Sequence, residues 1–140
     1  MKILLAVDGS AYTKKMLAYL ATHDEMFGSS NSVTLITVQA PLPPRARAAV
    51  GAEVANGYYA DEATKITAPV VKFLKRHGMD ATVVAKVGSP GEVIAKTADS
   101  GKFDLLVMGS HGHSALGNLV MGSVATNVLA HCGVPVLLVR

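Results

Sequence analysis

At 140 residues the chain has the length of one compact domain, taken here as residues 1–140, and can bury a core without metal or disulfide staples. Half of its residues are apolar and 16% are charged, which excludes intrinsic disorder. Thirteen Lys and Arg against ten Asp and Glu leave a net +3, but Lys14, Lys15, Arg45, Arg47, Lys72, Lys75 and Arg76 are scattered, so the balance argues against a nucleic-acid partner.

Five apolar runs predict strands, at residues 2–7 (KILLAV), 33–38 (VTLITV), 81–87 (ATVVAKV), 104–108 (DLLVM) and 135–139 (PVLLV). Four are nearly continuous in Ile, Leu and Val, as strands buried on both faces of a parallel sheet are. The third alternates, with Thr82, Val84 and Lys86 against Val83, Ala85 and Val87, which suits an edge strand with one wetter face. Between the runs, helical spacing predicts a helix over 10–26 and a second over 64–77. Pro69 lies inside the second pattern, so a kink or a late start is expected there. Ser89-Pro90-Gly91-Glu92 has the form of a capping box opening a third helix to about Ser100, and a fourth runs from Ser123 to Cys132. The stretch 40–59, with Pro41, Pro43, Pro44 and Gly51, is the longest irregular one; it either extends the second helix or forms a flap.

This alternation is that of an α/β, doubly wound five-stranded parallel sheet with helices on both faces. Ligands of such sheets bind beyond the carboxyl ends of the strands, where strand order reverses. Under the order 3-2-1-4-5, that point brings together Asp8-Gly9-Ser10 and Gly109-Ser110-His111-Gly112-His113-Ser114. The second segment continues to Gly122-Ser123, giving Gly109-x2-Gly112-x9-Gly122-Ser123. Glycines let backbone N–H groups approach an anion, and the helix opening at Gly122-Ser123 favours phosphate. Plain turn glycines and a serine cap would leave the same trace. Neither a Walker loop nor a G-x-G-x-x-G fingerprint is present.

Other constellations carry less. His111 and His113 could pair on a metal, but neither Cys nor a further His lies nearby in sequence. Residues 112–116 begin like a G-x-S-x-G elbow, with Leu116 where the last glycine belongs. Cys132 cannot form an internal disulfide and is expected to be a buried structural thiol in a reducing compartment. Tyr58 and Tyr59 could stack on a ligand or pack on the sheet. Met108 and Met121 flank the site, to pack on a ligand or fill core. Asp8-Gly9 interrupts the first apolar run before it reaches signal-peptide length, and every run falls short of the ~20 residues of a membrane span, so a cytoplasmic location is expected.

The segments ILLAVDGS, LITV, VGSPGEVI and VMGSHGHSALGNLVMGSVATNVLAHCGVPVLLV resemble the universal stress protein family, whose fold is Rossmann-like. The G-x2-G-x9-G-[ST] pattern is that of members that bind ATP, and all four positions match. The resemblance implies that Asp8, beside Gly9, and the backbone of Val38 meet the adenine. It places Gly109, His111, Gly112 and His113 along the ribose and phosphates, with Gly122, Ser123 and Val124 giving backbone N–H groups to the phosphates. Magnesium would travel with the nucleotide, Asp8 being the available carboxylate. Many relatives have Arg where His113 stands, so weaker or pH-sensitive phosphate binding is expected. Many also have Gly where Ala115 stands. The family's homodimer, often built on the last strand, would here use Val134 to Val139, and an undefined protein partner is implied. The function implied is ATP-dependent regulation in the stress response, with AMP or ADP as other ligands. A slow ATPase and a module that binds no nucleotide remain the alternatives.

Overall fold

The computed structural model describes residues 1–113 and 120–140. Five parallel strands, β1 (Lys2–Ala6), β2 (Ser32–Gln39), β3 (Ala81–Val87), β4 (Leu105–Gly109) and β5 (Val136–Val139), form one sheet in the order β3-β2-β1-β4-β5. Register is set by long runs of partners, Ile3 opposite Val33 and Leu105, and Val107 opposite Leu137. The strand order and the parallel, doubly wound arrangement are those expected.

Both faces of the central strands are covered, which is why they read as continuous apolar runs. On one face Ile3, Leu5 and Leu35 pack with Met16 and Leu20 of α1 (Ala11–Ala21) and with Val70 and Leu74 of α4 (Ala52–Arg76). On the other, Leu4, Ile36 and Leu106 pack with Ile94 and Ala98 of α5 (Pro90–Ser100) and with Ala125 and Val128 of α6 (Ser123–His131). β3 is an edge strand as predicted, but Val83 and Val87 are exposed as well as Thr82 and Lys86, so neither face is dry.

The helices depart from expectation in three places, and the stretch 40–59 takes the first of its two readings, extending the second helix. The helix over 10–26 is two: α1 ends at Ala21, and α2 (Asp24–Phe27) restarts after His23. The Thr22 hydroxyl donates to the carbonyls of Ala18 and Tyr19, and His23 Nδ1 lies 2.7 Å from the Tyr19 carbonyl, so side chains cap the end of α1 and turn the chain. The second helix does not start late: it runs through Pro69. It spans 25 residues, and Pro69 sits on its solvent face with Lys65, whose carbonyl lacks an N–H donor one turn on and is left to water. The stretch 40–59 is mostly helical, α3 (Pro44–Val50) joining α4 at Gly51, which turns the chain at φ +84°. Tyr59 binds it down: its hydroxyl accepts from Leu42 N–H at 2.8 Å and its carbonyl accepts from Gln39 Nε2 at 2.7 Å. Lastly, Ser89 is the N-cap of α5 but makes no side-chain capping bond, so the capping box is absent. Among the described residues no helix is long and apolar enough to cross a membrane.

Candidate functional site

The carboxyl ends of β1 and β4, at the reversal of strand order, open into a cleft of about 280 Å³. Its size suits a small ligand rather than a protein segment. Asp8, Val38, Gly109, His111, Gly112, His113, Gly122, Ser123 and Val124 all line it. Gly9 does not: it is exposed, and at φ +75° it supplies the left-handed turn between β1 and α1. Ser114, Ala115 and Leu116, which bear on the elbow reading and the loop's missing glycine, lie outside the described residues.

Asp8 is held from the side of α1. Its Oδ1 accepts from the Ser10 N–H and from the Thr13 hydroxyl, both at 2.9 Å, while its own N–H donates to Thr13 Oγ1 at 3.1 Å. Two donors on Oδ1 leave Oδ2 facing Gly112, where an ideal Cβ would stand 2.9 Å from it. Thr13 is buried, and sequence reasoning missed it. The available signal was a polar residue on the buried stripe of α1, five positions after Asp8.

The β4 loop lies against the start of α6. Gly122 N–H donates to the Ser110 carbonyl at 2.7 Å, so it is engaged within the protein and not available to a phosphate as expected. The first α6 bond runs from Thr126 N–H to the Gly122 carbonyl, which leaves Ser123 and Val124 N–H groups without intrahelical acceptors, at the positive end of the helix dipole. Gly109 is required by contact, since a Cβ there would fall 2.6 Å from Tyr12 Cβ, while at Gly122 a Cβ would sit tightly, 3.1 Å from His111 Cα. His111 Nδ1 lies 2.8 Å from Ser110 Oγ and its ring 4.8 Å from that of Tyr12. His113 Nε2 lies 2.6 Å from the Asp8 carbonyl, tying the loop to the end of β1 through one ring nitrogen that was expected to face phosphate.

The rest of the lining is apolar. Pro90 and Ile94 of α5 join Val38 and Ala6, and Met108 also reaches the cleft, whereas Met121 packs in the core beside α6. Tyr58 and Tyr59 do not line it. Among the described residues no cluster of His, Cys, Asp or Glu could by itself hold a metal, so the His111 and His113 pair has no third ligand. Cys132 is half-buried, and burial, with the nearby Asp99 carboxylate adding to it, raises its thiol above the ordinary value.

This arrangement defines a doubly wound α/β protein with a small-ligand cleft at its topological switch point, an acceptor carboxylate at one wall and a helix N-terminus at another. Comparison with known proteins carries it further: residues 1–140 match the Universal stress protein family, and the chain belongs to it. It is 34% identical over 139 residues to a universal stress protein of Thermus aquaticus, spanning 99% of this chain and 97% of that one. It is 31% identical over 140 residues to the universal stress protein Slr1230 of Synechocystis, of which it spans 42%. The solved structure of MJ0577 from Methanocaldococcus jannaschii superimposes with a TM-score of 0.81 at 29% identity, covering 99% of this chain and 94% of that one. Structures of the same fold at 20–24% identity include universal stress proteins in complex with AMP, dAMP and cAMP.

Proposed function

We propose that the cleft binds an adenine nucleotide, with ATP, ADP and AMP as candidates, and that binding makes the protein a nucleotide-dependent regulator in the stress response. The observation that carries this reading is the glycine cradle. Gly109, Gly112 and Gly122 each stand where a side chain would strike Tyr12, Asp8 or the loop backbone, and they hold the β4 loop against the open first turn of α6. The remaining lining suits the rest of a nucleotide. Val38, Pro90 and Ile94 offer an apolar slot for a base, and Asp8 Oδ2 offers an acceptor to an amino or hydroxyl group. On this reading Asp8 and Val38 meet the adenine, and Gly109, His111 and Gly112 the ribose. The N–H groups of Ser123 and Val124, with the Ser123 hydroxyl, meet the phosphates. Relatives of the same fold that hold AMP, dAMP or cAMP favour the same class of ligand. Magnesium would sit mainly on the phosphates, because Asp8 is the only carboxylate among the described lining residues and its Oδ1 already accepts two hydrogen bonds.

The test is calorimetric titration of nucleotide-free protein with Mg-ATP and with AMP, in the native chain and in Gly122→Val. Saturable binding that the substitution abolishes is the expected result; a folded, nucleotide-free protein that binds neither ligand refutes the reading.

The same proposal includes a homodimer formed through Val134 to Val139. β5 is an edge of the sheet, and Val136, Leu137 and Leu138 are only half-buried on it. Leu137→Lys is expected to halve the mass seen by light scattering, and an unchanged dimer would place the interface elsewhere.

A further inference from the structure

The cleft offers hydrogen-bond donors to phosphate but hardly any positive charge. Its described lining contains no Lys or Arg; its ionisable groups are Asp8, His111 and His113. The sequence extends the point through the whole loop and α6, for no Lys or Arg occurs between Lys102 and Arg140. The cation nearest along the described contacts is Lys15, whose Nζ lies 4.7 Å from the centre of the Tyr12 ring, with Tyr12 between it and His111. His113 stands on the same loop, and its Nε2 is turned to the Asp8 carbonyl. The Gly122 N–H is engaged by Ser110, which removes one donor from the first turn of α6. What remains for phosphate is the pair of N–H groups of Ser123 and Val124, a hydroxyl, and the partial charge of one helix end. The one carboxylate of the described lining, Asp8, adds to the negative charge of the cleft as a whole.

A partial positive charge of about half a unit suits one phosphoryl group. Each further phosphoryl group adds negative charge that no Lys or Arg of the described lining offsets. We propose that this cleft selects nucleotides by low charge at the phosphate end: it takes an adenosine monophosphate in preference to metal-free ATP, and takes ATP only as its magnesium complex. The proposal rests on the adenine-nucleotide reading above and names the ligand class within it. Magnesium here supplies the compensation that lysine or arginine supplies in cation-rich phosphate sites.

Four titrations of the native protein at low salt test this: adenosine, AMP, ATP with excess Mg2+, and ATP with a chelator. The expected order places metal-free ATP at least tenfold weaker than AMP, with Mg-ATP restored to within a fewfold of AMP and AMP indifferent to the chelator. Metal-free ATP binding as tightly as AMP, or more tightly, overturns the proposal while leaving the adenine-nucleotide reading intact. It would mean that a distant cation, such as Arg45 or Arg47 of α3, reaches the phosphates. Failure of all four ligands overturns both. His113→Arg supplies a second arm, because a guanidinium at this position should recover most of the tenfold deficit of metal-free ATP without tightening adenosine. A deficit unchanged in that variant, in a protein that still binds AMP, also counts against charge selection.

Discussion

Gly112→Ala perturbs the cleft through a single contact. The added methyl would stand 2.9 Å from Asp8 Oδ2, about half an ångström inside ordinary van der Waals contact. Asp8 cannot swing aside freely, since its Oδ1 is held at 2.9 Å by both the Ser10 N–H and the Thr13 hydroxyl. Either the carboxylate turns and gives up one of these bonds, or the loop backs away from the end of β1 and strains the His113 contact to the Asp8 carbonyl. A hydrogen bond to a charged group contributes about 1.5–3 kcal/mol, and the lower figure applies to this partly exposed site. Misplacing Asp8 Oδ2 by that amount corresponds to roughly a tenfold loss of nucleotide affinity. The bond given up is internal to the protein, so the substitution also costs about 1.5 kcal/mol in stability, or roughly 6 °C in melting temperature. Calorimetric titration with AMP beside a thermal melt measures both. If the variant binds AMP with native affinity, Asp8 Oδ2 does not face the ligand, and the assignment of the adenine end is wrong.

Three further outcomes are expected. Thr13→Val removes the partner of the Asp8 N–H and one donor to its carboxylate while keeping the shape; it should cost about 1–3 kcal/mol in urea unfolding, with Thr13→Ser close to native, and equal stability of all three would show the triad to be idle. Gly91→Ala would press a methyl to 2.6 Å from Asn127 Cβ and wedge α5 from α6, costing about 1–3 kcal/mol; Asn127→Gly in the same chain should recover most of it, and a double variant no better than the single would refute the contact. Cys132, its folded-state pKa raised chiefly by burial, should be alkylated by iodoacetamide at pH 8 more slowly than in the urea-unfolded chain. Because the folded value is the higher, its contribution to stability is complete below the unfolded value and is lost as pH rises through the folded one; equal alkylation rates in the two states would contradict this.

The sheet was legible because its signal is redundant. Val33, Leu35 and Ile36 face cores on both sides, as the strands of a covered parallel sheet do. The glycine spacing falls on the cleft for a related reason: Gly109, Gly112 and Gly122 each leave a Cβ little or no room beside Tyr12, Asp8 and the loop. The helices between were less legible. The first half of α4 buries Ala55 but little else, so residues 52–62 carry almost no apolar period and could be read either as an extension of the helix or as a flap. Pro69 weighed against the helix because its cost depends on whether the carbonyl one turn back is wet, which sequence does not state.

The same limit explains what was missed at the site. Sequence names donors and acceptors, but not which of them the protein engages for itself. Gly122 was legible as a phosphate donor and is instead the bond that closes the loop onto Ser110; His113 was legible as a weaker arginine and has one nitrogen turned to the Asp8 carbonyl; Thr13, which fixes the carboxylate, looked like one more helix residue. On the nucleotide reading, each of these internal bonds withholds a group from the ligand and adds rigidity to the cleft, and shape is left as the proposed main means of recognition. That is why the distinguishing experiments compare ligands by phosphate charge and perturb glycines by a single methyl.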